Sequence, residues 1–376
     1  MKILFTGGGS GGHFYPIIAI VEEINQLAKE NKLIGLELFY MSHSPYNEGL
    51  LFEHGVTFKK NTAGKLRVYF SLMNIVDMFK TAWGVIVSLW AIFTIYPDVI
   101  FGKGGYASFP ALLAGKLLKI PVVIHESDSV PGRVNAWAGK FAARIAISYP
   151  ESATYFPQGK TAYTGNPIRK DIMHALSSGA HEYLGLDPHI PTILVIGGSQ
   201  GAQLINDTVV DALPRLVQKY QIIHQTGKNN FNMVKNTADV VLLTNEFKKR
   251  YQPFDYLNNL ALRMSAGAAS LVISRAGSSL FEIASWEKPA IVIPITKSNG
   301  NHQRMNAYAY ARTGAAVVLE EANLSGNILS AEVDRLLDNP SVLAQMSEAT
   351  KTSQHPDAAR KIATEILNIA LDHQKS

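Results

Sequence analysis

At 376 residues the chain is longer than one ordinary domain, and two domains are expected. Hydrophobic residues make up 47% and cysteine is absent, which sets aside a disordered chain, disulfides, a thiol nucleophile and cysteine-ligated zinc. A net charge of +5 is compatible with anionic partners, although an ordinary mildly basic surface explains it more simply.

In chain order, strand candidates at 3–6, 37–41, 99–101, 122–125 and 145–148 alternate with helical stretches, the pattern of parallel βαβ units. The chain enters the first of them at Lys2, so no secretory leader is expected. That strand runs into Gly7-Gly8-Gly9-Ser10-Gly11-Gly12-His13, a glycine turn opening a helix, where bare backbone N–H groups suit a phosphate. The turn departs from a dinucleotide fingerprint, because no acidic residue closes the second strand to hold a ribose. His13 would sit beside the glycine amides, where an imidazole can take a proton from a hydroxyl, or merely cap the helix.

The stretch 74–96 is strongly apolar, yet its uninterrupted part, 81–96, falls short of the ~20 residues needed to span a bilayer. Two readings stay open. It is a buried helix, or its outer face meets a lipid surface, with Trp83 and Trp90 at headgroup depth and Lys59, Lys60, Lys65 and Arg67 nearby. Next, Gly102-Lys103-Gly104-Gly105-Tyr106 follows a strand, and its glycines let backbone approach an anion. With the first turn it forms a plausible diphosphate cradle. His125-Glu126-Ser127-Asp128 also leaves a strand end, as either catalytic groups or loop anchors. We place the domain junction in the turn at 164–169, where Gly165 and Pro167 set the backbone.

The second half repeats the pattern, with strands expected at 193–196, 222–225, 271–274, 291–294 and 316–319. Its first strand meets a second glycine turn, 197–202, in which Ser199 and Gln200 could contact a phosphate. Ser274-Arg-Ala-Gly-Ser-Ser-Leu-Phe-Glu282 opens a helix whose Glu282 could accept two hydrogen bonds from a ribose diol, or simply complement the helix N-terminus. The loop at 301–303 offers amide side chains suited to sugar hydroxyls. The tail carries Ile362, Ile366, Ile369 and Ala370 at helical spacing, so a terminal helix is expected to pack back across the junction.

The segments GGGSGGHFYP, GKGGYASFPA, PVVIHES with VPGRVNAW, TGNPIR, GGSQGAQLIN, SRAGSSLFEIA and NHQRMNA, in this order, resemble the MurG family of bacterial peptidoglycan glycosyltransferases, family 28, over nearly the whole chain. The resemblance implies an α/β fold of the GT-B class, two Rossmann-like domains with parallel sheets facing across a cleft. It implies an acceptor and membrane-docking domain at 1–165, a donor domain at 166–350 and a C-terminal helix at 351–376. The implied reaction is inverting transfer of N-acetylglucosamine from UDP-GlcNAc to the 4-hydroxyl of an undecaprenyl-diphosphate-linked N-acetylmuramyl-pentapeptide (lipid I to lipid II). The alternative is another GT-B UDP-sugar enzyme, including a UDP-GlcNAc 2-epimerase.

By the same resemblance His13 is the general base. Ser10, Gly11, Gly12, Asp128, Arg169, Ser199, Leu257, Ser278, Ser279, Leu280, Phe281, Glu282 and Gln303 are donor contacts, and Gly9, Gly104, Gly105 and Tyr106 hold the acceptor diphosphate. The chain has HESD where the family usually has HEQN, which puts Asp128 at an asparagine position. The RAGSSLFE segment is one residue shorter than the usual pattern. No metal or other cofactor is expected to be required. The expected partners are the two substrates and an anionic membrane surface, with no nucleic acid, and the expected location is peripheral, on the cytoplasmic face of the membrane.

Overall fold

The computed structural model describes residues 1–64, 73–197, 202–296 and 301–375. Its contacts divide into two units, Met1–Arg169 with His355–Ser376, and Lys170–Gln354. The junction thus falls after Arg169, so residues 166–169 belong with the first unit and not with the second as expected.

The first unit holds seven strands: β1 (Lys2–Thr6), β2 (Glu37–Ser42), β3 (Val56–Lys60), β4 (Val99–Gly102), β5 (Val122–Glu126), β6 (Arg144–Ile147) and β7 (Thr161–Tyr163). All pair in parallel, in the order β3-β2-β1-β4-β5-β6-β7. A parallel sheet covered on both faces needs near-continuous apolar strands, and Ile3, Leu4 and Phe5 in β1 are wholly buried. The order reverses at β1, which pairs with β2 on one side and β4 on the other. Ligands of open α/β sheets bind at such a reversal, beyond the carboxyl ends of the strands. The glycine turns after β1 and β4 both open there.

The helix Ala358–Lys375 completes this unit. Its Ile362, Ala363, Ile366, Leu367 and Ala370 enter one apolar core with Ile17, Ile20, Val21 and Ile24 of the helix Gly11–Glu30. The second unit has β8 (Thr192–Ile196), β9 (Gln221–Gln225), β10 (Tyr251–Phe254), β11 (Ala269–Ser274), β12 (Ala290–Val292) and β13 (Ala316–Val318). They are parallel, in the order β10-β9-β8-β11-β12-β13, with the reversal at β8. The segment after the junction is pinned to this unit by Trp286, whose indole N–H donates to the Ile172 carbonyl at 2.8 Å.

Three strands absent from the sequence reading, β3, β7 and β10, are all sheet edges. They are short and half-polar, and β10 carries Pro253, which only an edge tolerates.

The helix Met73–Ile95 is longer than its apolar run suggested. By length and composition alone its 23 residues, with a mean hydropathy of 1.6 over the best window, would cross a membrane. Its buried positions, Asp77, Gly84, Ser88, Ile92 and Ile95, form one stripe, and it lies against the helix Phe109–Leu117. Gly84 is required because a Cβ there would collide with the Thr62 carbonyl. The opposite face is apolar and exposed: Phe79, Trp83, Ile86, Trp90 and Phe93 each keep more than half their surface open. The buried reading thus holds for one stripe packed on the unit, and the rest of the helix is left bare.

Candidate active site

β1 delivers the chain into an extended Ser10, whose carbonyl accepts from the His13 and Phe14 N–H groups at 3.0 Å and starts the helix Gly11–Glu30. The first turn of that helix contains no acidic residue, so its positive end and its orphan amides stay available to an anion. Ser10 Oγ lies 2.8 Å from His13 Nδ1. When Nδ1–H donates to Ser10, Nε2 carries the free lone pair that a base needs.

The glycines here are matters of clearance. A Cβ on Gly105 (φ 80°) would come within 2.8 Å of Gly8 Cα and 3.2 Å of His13 Nε2. The turn after β1 and the turn after β4 are thus in backbone contact, with the imidazole against both. Burial, reinforced by the Lys103 charge and opposed by Asp128, lowers the His13 pKa to about 4, so the ring is neutral near pH 7.

The loop after β5 completes the cluster. Glu126 accepts from the Asp128 N–H (2.9 Å), the Gly132 N–H (3.0 Å) and Asn135 Nδ2 (2.9 Å). Its carboxyl pKa is raised by burial and by the neighbouring Asp128. His125 Nε2 meets the Gly165 carbonyl and Ser148 Oγ, each at 3.1 Å, and burial followed by the Lys103 charge pulls its pKa well below the usual value. His125 and Glu126 therefore tie loops together. Asn135 Nδ2 also donates to the His125 carbonyl (3.0 Å) and fills the space that Gly104 leaves open.

The first unit accordingly gathers Gly9, Ser10, Gly11, Gly12, His13, Gly104, Gly105 and Tyr106 around the ends of β1 and β4, with Asp128 facing them from β5. Arg169 joins them through Tyr15: it is buried with its guanidinium 4.3 Å from the Tyr15 ring centre, and that ring lies against Gly11. The sequence reading missed two neighbours. His43, just beyond β2, closes over Gly9 so tightly that a Cβ there would overlap its ring, and it lies 5.7 Å from Tyr106. Lys103 is buried between the glycines of the second turn.

In the second unit the candidates cluster at the ends of β11 and β12. Ser278 stands just before the helix Ser279–Ser285 without a side-chain capping bond, and Ser279 Oγ lies 3.1 Å from Ser274 Oγ. Arg275 is fixed by an ion pair to Glu321 at 2.6 Å and a bond to the Ile293 carbonyl at 3.0 Å. Gln303 Oε1 accepts from the Ile295 N–H at 3.2 Å, and Glu282 stands half-buried on the short helix. The side chains of Leu280, Phe281 and Leu257 are buried, Leu280 and Leu257 in the apolar core. The Leu257 N–H is bound to Gln225 Oε1 at 3.0 Å. Ser199, with Gly198, Gln200 and Gly201, lies outside the described residues, as do Lys65 and Arg67.

The sequence matches the Glycosyltransferase family 28 N-terminal domain over residues 3–147 and the corresponding C-terminal domain over residues 192–362. It is 36% identical over 340 residues to the UDP-N-acetylglucosamine–N-acetylmuramyl-(pentapeptide) pyrophosphoryl-undecaprenol N-acetylglucosamine transferase 2 of Bacillus cereus, covering 90% of this chain and 92% of that one. The chain belongs to glycosyltransferase family 28. A second family 28 relative, the transferase of that name from Natranaerobius thermophilus, is 34% identical over 366 residues, 96% of this chain and 98% of its own. Among solved structures, MurG of Acinetobacter baumannii superposes with a TM-score of 0.73 at 22% identity, covering 98% of this chain and 99% of that one. UDP-GlcNAc 2-epimerase from Neisseria meningitidis bound to UDP-GlcNAc gives 0.67 at 15%, with the same coverage. At these identities the two structures speak to the fold of this family 28 enzyme, which is GT-B.

Proposed function

We propose that the chain performs the reaction its relatives are named for, moving N-acetylglucosamine from UDP-GlcNAc to a muramyl-pentapeptide carried on a polyprenyl diphosphate. The observation that carries this reading is a relationship of 34–36% identity spanning at least nine-tenths of the chain. It is supported by a neutral imidazole at the mouth of a glycine cradle. In this reading the acceptor 4-hydroxyl bonds to the anomeric carbon with inversion, giving a β-1,4 link. The bond from that carbon to the UDP oxygen breaks, and the hydroxyl proton passes to His13 Nε2. Departing UDP is stabilised by backbone N–H groups of the second unit around Ser278, dipoles that favour the developing negative charge.

The test is radiolabelled UDP-GlcNAc with a short-chain lipid-diphosphate acceptor, scored for a labelled disaccharide lipid. Transfer is expected at full rate in EDTA, since no step of this reading calls on a metal. Formation of the 2-epimer from UDP-GlcNAc alone, with no disaccharide lipid, would replace this reading with the epimerase alternative.

The exposed face around Trp83 and Trp90 fits docking on the cytoplasmic leaflet, with Lys59, Lys60 and Lys80 available to anionic headgroups. The double variant Trp83→Ser/Trp90→Ser is expected to lower binding to anionic phospholipid vesicles at least about tenfold, given the apolar area two indoles bury. Turnover of a water-soluble acceptor should be retained. Undiminished vesicle binding would rule this face out.

A further inference from the structure

Lys103 is the most conspicuous polar group left without a role. Its N–H donates to the Thr6 carbonyl at 2.9 Å, which ties the start of the second glycine turn to the end of β1. The side chain is 1% exposed, and its Nζ makes no hydrogen bond among the described residues. An ammonium carries three donors and no acceptor, and leaving them unspent in a dry site is costly.

Glu126 is not the missing partner, because Lys103 Nζ bonds to neither of its oxygens, which accept from Asp128, Gly132 and Asn135. It and Asp128 act on Lys103 through their charge. They favour the ammonium, while burial pulls its pKa down to about 8. On the other side the lysine adjoins backbone. Its Cβ lies 3.5 Å from the Cβ position of Gly7, and Gly104 and Gly105 follow it with φ of 88° and 80°. His13, at the positive end of the helix Gly11–Glu30, feels the same charge. A buried ammonium without a hydrogen-bond partner therefore stands at the root of the second glycine turn, its stem against the first and its charge felt by His13 at a helix N-terminus without acidic residues.

We propose that Lys103 is the cationic contact for a phosphoryl oxygen of the acceptor's diphosphate, seated against the turns after β1 and β4. This deepens the acceptor reading above and rests on it. An anion at this point also offsets the lysine's field at His13, so acceptor docking makes the base stronger at the moment it is needed.

The test is steady-state kinetics with UDP-GlcNAc and a short-chain prenyl-diphosphate acceptor. Lys103→Met should raise the acceptor KM by about ten- to a hundredfold, as losing a charged contact does, and leave the UDP-GlcNAc KM within about twofold. With a monophosphate-linked acceptor the gap between wild type and variant should shrink. In the wild type, acceptor kcat/KM should fall as pH rises through about 8, where the ammonium loses its proton, and Lys103→Met should lack that limb. The groups facing Lys103 are His13, His125, Glu126 and Asp128, so the variant is what assigns the limb.

If Lys103→Met does not fold, the wild-type limb decides: its presence for the acceptor and absence for the donor supports the contact, and a flat profile overturns it. A rise confined to the donor KM, or a fall in kcat at unchanged acceptor KM, also overturns it. A wild type that transfers nothing to the acceptor fails earlier and brings down the acceptor reading itself.

Discussion

His13→Ala should lower turnover by about 10²–10⁴-fold, the range general-base catalysis supplies, while UDP-GlcNAc binding survives. Binding is expected to survive because most donor candidates, Ser278, Ser279, Glu282 and Gln303 among them, belong to the second unit and make no use of the imidazole. The pH profile gives the sign. A base must be neutral to accept a proton, and His13 is held neutral down to about 4. Acceptor kcat/KM of the free enzyme should therefore stay level from pH 7 to about 5, where an unperturbed histidine would already have cost most of the activity. Unchanged turnover in His13→Ala would remove the residue from the mechanism.

Gly105→Ala should be nearly as damaging, for a reason of space. The new Cβ would stand 2.8 Å from Gly8 Cα, 3.1 Å from Gly8 N and 3.2 Å from His13 Nε2. The first two neighbours are backbone and have no rotamer to escape into. A residue with a Cβ also costs roughly 1–2 kcal/mol at a left-handed φ of this kind. We expect turnover to fall at least about a hundredfold and the melting temperature to drop by a few degrees. Gly159→Ala is the control, since nothing lies within 4 Å of its Cβ position. Wild-type turnover in Gly105→Ala would mean the two turns need not touch.

The parts of this molecule visible in its sequence are those encoded locally. β1, β4, β8 and β11 announce themselves as apolar runs because a strand at a sheet's centre is buried on both faces. β3, β7 and β10 do not, because an edge strand need bury little. The glycine turns and His13 stand out because tight backbone leaves glycine no substitute. Lys103 and His43 acquire meaning only from what the fold brings to them. A lysine flanked by glycines just past a buried strand was nonetheless a usable signal, overlooked because only the glycines were weighed. The inward packing of Leu280, Phe281 and Leu257 was hidden because motif resemblance marks positions and not the direction a side chain faces.

The helix Ala358–Lys375 has a further consequence for how the chain is made. The core of the first unit is not closed until this helix lies on Gly11–Glu30, yet the whole of Lys170–Gln354 is synthesised before it. Vectorial synthesis therefore lets the second unit mature first, while the sheet of the first unit waits with an open seam of Ile17, Ile20 and Ile24 for a helix made after it.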